Sequence, residues 1–214
     1  MSIGQNAFEG CKPPALEIPA KVTSIGDNAF SGYTGLTVTI NTNSSVLWTR
    51  VFGNTTALKV IYGPGVTTIG NSAFESFTGL TNVTLSGSVT HINDQAFLNC
   101  TGLASLTIPE GLIRIGHEAF RYCTSLESLV LPETLTTIDR YAFFNCTMLT
   151  SVLIKSTMVE NTGDDDTGFT AVYPFMGNLQ VLYFYETGGG PGLYNTYAVP
   201  VPETSVWIKI QGYP

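Results

Sequence analysis

The chain has 214 residues, of which only 12% are charged, and its formal net charge at pH 7 is −7. This balance argues against binding to nucleic acid and against a polybasic membrane contact, because both require clustered Lys and Arg. No apolar run approaches the roughly 20 residues of a membrane span, so we expect no membrane insertion.

A phenylalanine recurs along most of the chain at steps of 22, 22, 22, 23, 23 and 23 residues. The recurring residues are Phe8, Phe30, Phe52, Phe74, Phe97, Phe120 and Phe143. A fixed period of this length is typical of a repeat array, in which each unit is one coil that contacts only its neighbours. We therefore predict a solenoid domain over residues 1–185.

Residues 1–66 hold the less regular coils, and the chain enters the repeat in mid-coil at Ile3. No charged segment followed by an apolar stretch is present, so the sequence shows no signal peptide. We expect a fragment of a longer exported protein, with a cytosolic protein as the alternative. Trp48 stands where other coils carry small residues, and we predict that it packs in or beside the core; an exposed contact is the alternative.

The coils over residues 92–155 are the most regular. Leu103, Leu106 and Ile108 surround polar residues in a pattern that fits a short strand with alternate side chains facing a core. Residues 94–97 are polar at first and then apolar, which favours one helical turn. Each coil is thus predicted as strand, turn, short helix and turn.

Three cysteines of the regular coils each follow the recurrent phenylalanine by three residues. Phe77, Tyr33 and Thr55 fill the same position elsewhere, so we interpret it as a packing position with reduced, buried thiols. Spacing alone leaves a disulfide between neighbouring coils open, whereas the absence of a C-x-x-C pair argues against a metal site. The predicted structural core comprises Phe30, Phe74, Phe97, Phe120, Phe143, Cys100, Cys123 and Cys146.

Over residues 3–154 the unit reads roughly x-I-x-x-x-A-F-x-x-C-x-x-L-x-x-L-x-I-P-x-x-L-x. This pattern resembles the leucine-rich repeat family, specifically the Treponema pallidum type found in bacterial BspA-like surface proteins. The resemblance implies an α/β repeat solenoid, a curved array with a parallel β-sheet on its concave side and short helical turns on its convex side. It also implies a cell-surface or secreted protein that adheres to host matrix or to other cells, without a catalytic site.

The period breaks after Ile154. We predict a loop inserted at about residues 156–171, with a solvated acidic run at 164–166 rather than a calcium site. Residues 179–185 are predicted to add one more strand. Residues 186–214 lack the repeat and are predicted to cap the last coil or to begin a following region.

An enzyme that cleaves polysaccharides would stack carboxylates in successive coils to share acid and base roles. The corresponding column is mixed and reads Gln5, Asp27, Asn71, Asp94, His117 and Arg140. His91 and His117 are expected at the surface. We therefore predict a non-enzymatic protein without a cofactor, and keep a polysaccharide-active β-helix enzyme as a remote alternative.

Function is expected to depend on the exposed face of the sheet, where outward side chains form columns that become more apolar toward the C-terminus. The predicted ligand-binding residues on this concave face are Asn82, Thr84, Thr107, Val130, Leu153, Val181, Tyr183 and Tyr185. Contiguous exposed apolar groups often mark contact sites. We expect a monomer that binds a protein or a glycan, or alternatively a structural spacer within a larger surface protein.

Overall fold

A computed structural model describes residues 1–11, 13–43 and 46–154, and for residues 151–154 it describes the backbone. The inserted loop predicted at residues 156–171, the strand at 179–185 and the cap at 186–214 lie outside the described residues. These three calls stay predictions.

The described chain consists of strands and one short helix in regular succession. In chain order the elements are β1 (Ser2–Ile3), β2 (Ala15–Ile18), β3 (Ser24–Ile25), β4 (Thr37–Ile40), α1 (Trp48–Phe52), β5 (Leu58–Tyr62), β6 (Thr68–Ile69), β7 (Leu80–Thr84), β8 (His91–Ile92), β9 (Ser105–Thr107), β10 (Arg114–Ile115), β11 (Ser128–Leu131), β12 (Thr137–Ile138) and β13 (Ser151–Ile154).

Longer and shorter strands form two separate sets of parallel ladders. The long-strand sheet has the order β2-β4-β5-β7-β9, and β11 beside β9 pairs with β13. On another side of the coils, β1 pairs with β3, and β6, β8, β10 and β12 form a ladder of two-residue strands. The prediction of a repeat solenoid with a parallel sheet is thus confirmed.

The core lies between these ladders and contains the recurrent phenylalanines from Phe30 to Phe143. Phe97, Phe120 and Phe143 are stacked nearly parallel, with successive ring centroids 5.1 Å apart. Stacking at this distance follows from the coil spacing, because neighbouring parallel strands lie about 4.8 Å apart. All eight residues of the predicted structural core are buried.

The position three residues after each phenylalanine does more than fill space. The Cys100, Cys123 and Cys146 thiols donate to the phenylalanine carbonyl one coil back, with Sγ to O distances of 3.0, 3.2 and 3.2 Å. Thr55 and Tyr33 make the same link through their hydroxyls, at 3.0 and 2.6 Å. The position therefore favours a side chain that is largely apolar and carries one donor.

The predicted helical turns on the convex side are wrong for the described coils. Over residues 94–99 the chain forms successive turns, and Gln95 and Asn99 adopt positive φ angles of 58°, which an α-helix excludes. The Phe97 N–H donates to the Ala119 carbonyl of the next coil at 2.8 Å, while the Leu98 N–H bonds back to Gln95 at 3.0 Å. Hydrogen bonds between coils thus replace the bonds of a helix.

The coil around Trp48 is the exception. Its helix α1 occupies the place of a short strand, so the short-strand ladder is divided between β3 and β6. Trp48 is only 2% exposed, so it packs in the core as predicted. Its ring centroid lies 5.9 Å from that of Phe52 and 6.3 Å from that of Phe74. The larger side chain fills the space between two coils.

Candidate binding surfaces

The exposed face of the long-strand sheet is built by strand alternation. Val83 and its counterparts point into the core, so the residues on either side of it point outward. Parallel register places Asn82 opposite Ser105 and Thr84 opposite Thr107. Successive coils therefore arrange outward side chains into two columns on one face.

The predicted binding residues of this face differ in exposure. Val130 is 47% exposed and Thr107 is also exposed, whereas Asn82 and Thr84 are half-buried and joined by a 3.4 Å hydrogen bond from the Thr84 hydroxyl. Leu153 lies opposite Val130 in the backbone register. The remaining three predicted residues lie outside the described residues: Val181, Tyr183 and Tyr185.

Sequence reasoning missed one exposed apolar residue of this face. Ile61 is 39% exposed and lies opposite Thr84 and Thr39 in the register. Extending the predicted Thr84 column by one coil toward the N-terminus would have found it. The face thus presents separate apolar side chains among mostly polar ones, which include the charged residues Glu17 and Lys59.

A second group of side chains, absent from the predicted site, lies on the turn side of the coils around Phe120 and Phe143. The Arg–aromatic cluster consists of Arg121, Tyr122, Arg140, Tyr141 and Phe144. The Arg121 guanidinium carbon lies 4.8 Å from the Tyr122 ring centroid and 5.1 Å from that of Phe144. These contacts are cation–π interactions, in which a ring face attracts the cation.

Glu118 fixes Arg121 within the cluster. The carboxylate pairs with the Arg121 guanidinium and accepts a 3.0 Å hydrogen bond from the Gln95 amide. Burial raises the pKa of the Glu118 carboxyl, but the hydrogen bonds from Gln95 and Arg121, together with the nearby charges of Arg121 and His117, hold this pKa below its ordinary value. The carboxylate therefore stays charged and keeps Arg121 in place.

Other charged side chains near this cluster are also paired. Arg114 bridges Asp94, at 3.1 Å, and Asp139, and so links three successive coils. His117 is at the surface, with 43% of its side chain exposed.

Within the described part of the chain, no group of three or more potential ligand side chains could hold a metal ion. Nor does that part contain a helix long and apolar enough to cross a membrane.

The cysteines offer a direct test of the coil geometry. Burial raises the pKa of Cys100 and of Cys146 to about 12, and raises that of Cys123 well above its ordinary value, whereas Cys11 is exposed. Because the thiolate is the reactive form, we expect one rapidly reacting thiol in the native protein and three more on unfolding. An aromatic disulfide reagent at about pH 8 measures this.

Two outcomes decide the thiol prediction. In the variant Cys11→Ser the fast phase should disappear, while the three slow thiols still react in denaturant. Two or more fast thiols in the native chain would contradict the buried positions of the cysteines.

Stacked coils, parallel ladders and an exposed sheet face define a leucine-rich-repeat solenoid. The chain belongs to the BspA-type leucine-rich repeat family: the family model, described as a region with 6 copies, matches residues 1–101 and 47–164. No curated protein matches the chain.

Solved structures of bacterial leucine-rich repeat proteins are similar. The leucine-rich repeat protein of T. pallidum is 27% identical, with a TM-score of 0.50 over 71% of this chain and 62% of its own. A leucine-rich cell surface protein from Faecalibacterium prausnitzii is 26% identical, with a TM-score of 0.47 over 82% of this chain and 55% of its own. The chain thus spans less than two thirds of the length of either protein.

Proposed function

We propose that the chain is a non-enzymatic binding module of a cell-surface or secreted protein, and that it adheres to a host matrix protein, a glycan or another cell through the exposed face of the long-strand sheet. Membership of the BspA-type family supports the class of function. We choose this face because Ile61 and Val130 are exposed on it, whereas its other outward side chains are mostly polar.

The sheet is suited to binding because its outward side chains are held by the backbone of neighbouring coils. Every described long strand pairs in parallel with another, so the columns are preformed and need little ordering when a ligand binds. Val130 lies beside Leu153 in the register, and Tyr183 is predicted to continue this column. With Val181 and Tyr185 beside it, the predicted continuation would form a contiguous apolar patch. Tyrosine provides a large contact area at low entropic cost.

The test is binding of the purified protein to an array of matrix proteins and glycans. The double variant Ile61→Ser, Val130→Ser should lower the affinity for a captured ligand by at least about tenfold. Its free energy of unfolding should stay within about 1 kcal/mol of the parent, as expected for exposed positions. Saturable binding that the double variant retains in full would contradict the proposed face.

Ile113 supplies a matched control. It is 39% exposed, like Ile61, but it lies directly before β10 in the short-strand ladder. The variant Ile113→Ser should therefore keep full affinity. If the protein binds no component of the array, the result favours the alternative in which the coils are a structural spacer.

A further inference from the structure

The distribution of arginine is uneven on this acidic protein. The chain has four arginines, Arg50, Arg114, Arg121 and Arg140, and three of them lie within residues 114–140. Two of these three form ion pairs. Arg114 pairs with Asp94 and Asp139, and Arg121 pairs with Glu118.

Arg140 differs from both. It forms no ion pair within the described ranges, and its guanidinium carbon lies 5.6 Å from the Tyr141 ring centroid. Its Nε, like that of Arg121, is buried and has no hydrogen-bond partner among the described residues. Asp139, which precedes Arg140 in the chain, and Glu118, whose N–H donates to the Arg140 carbonyl at 3.0 Å, are already paired with other arginines. Among the described residues, one positive charge of the cluster is therefore without an ion-pair partner.

The aromatic rings of the cluster are packed against one another. Phe144 meets Tyr122 and Tyr141 edge to face, at interplanar angles of 90° and 84°, and Arg121 lies over the same rings. The rings therefore meet at steep angles and do not form the flat parallel platform on which a base or a sugar ring would stack. Half-buried Tyr and Phe beside Arg are instead typical of protein interfaces.

We propose that the Arg–aromatic cluster is a second interaction surface, separate from the sheet face, and that it binds an acidic peptide segment of a partner protein. A carboxylate of the segment pairs with the guanidinium of Arg140, whose planar fork matches the two carboxylate oxygens. An apolar or aromatic side chain of the same segment packs against Tyr141 and Phe144. The chain as a whole carries a net charge of −7 and therefore repels an acidic segment, so binding requires a local positive charge such as that of Arg140.

Fluorescence anisotropy with a short labelled peptide of alternating Glu and Tyr tests the proposal. The variant Arg140→Gln should weaken binding at least about tenfold, and a peptide with Gln in place of Glu should bind as weakly to the parent protein. Arg50→Gln is the matched control, because Arg50 is an exposed arginine in the last turn of α1, away from the cluster. This control should keep its affinity within about twofold.

Several outcomes would overturn the proposal: no saturable binding of the Glu peptide, equal binding of the Gln peptide, or equal losses in the Arg50 and Arg140 variants. Dimer formation that Arg140→Gln abolishes would identify a second copy as the occupant, and tighter binding to phosphatidylserine vesicles would identify a membrane.

If Arg140→Gln does not fold, Arg140→Lys keeps the charge and should lose only part of the affinity. The variant Ile61→Ser, Val130→Ser should bind the peptide normally, which separates this test from that of the sheet face.

Discussion

Replacing Phe120 by alanine is expected to lower the free energy of unfolding by about 3–5 kcal/mol. Phe120 is fully buried, and its ring stacks 5.1 Å from both Phe97 and Phe143. Its removal leaves a cavity in the middle of the stack and breaks two ring contacts at once. Urea denaturation followed by circular dichroism measures the loss.

Phe8 provides the control for this substitution, because it belongs to the same column at the N-terminal end of the described stack. It is 45% exposed and stacks on Phe30 at 5.3 Å. The variant Phe8→Ala should therefore cost no more than about 2 kcal/mol. Equal costs at Phe8 and Phe120 would show that position within the stack does not matter, and would contradict the observed core.

The fold could be predicted from sequence where every coil buries the same type of side chain at the same position. The phenylalanine period gives the stack, and the alternation around Leu106 gives a strand with its apolar side inward. The predicted helical turns failed because their hydrogen bonds are not local. Residues 94–97 have a helix-like pattern, but the Gln95 and Phe97 N–H groups bond to His117 and Ala119 of the next coil.

The candidate surfaces were predicted less completely, for a related reason. Outward columns follow from strand register, but the sequence does not show that Thr84 is half-buried and bonded to Asn82. The Arg–aromatic cluster forms only when coils stack, since Arg121 and Phe144 are one period of 23 residues apart. Aligning variable positions between coils, as well as recurrent ones, would have brought these two residues together.

The cysteine position shows how a correct packing argument can miss a polar contact. Cys and Tyr at equivalent positions indicated a buried apolar site, and burial is what the structure shows for Cys123. The presence of Thr55 at the same position could have indicated the hydrogen bond to the preceding coil. Threonine, cysteine and tyrosine each carry a side-chain donor that can reach that coil. Phe77 lacks such a donor and instead packs 6.4 Å from Phe52.

Replacing Trp48 by alanine is the second change with a large expected effect, about 3–5 kcal/mol of the free energy of unfolding. Trp48 contacts Phe52 and Phe74 in a coil where α1 replaces a short strand. The alanine variant loses this buried aromatic packing and leaves a cavity between the two coils. Urea denaturation measures the total loss, and a cost below about 1 kcal/mol would place the tryptophan outside the core.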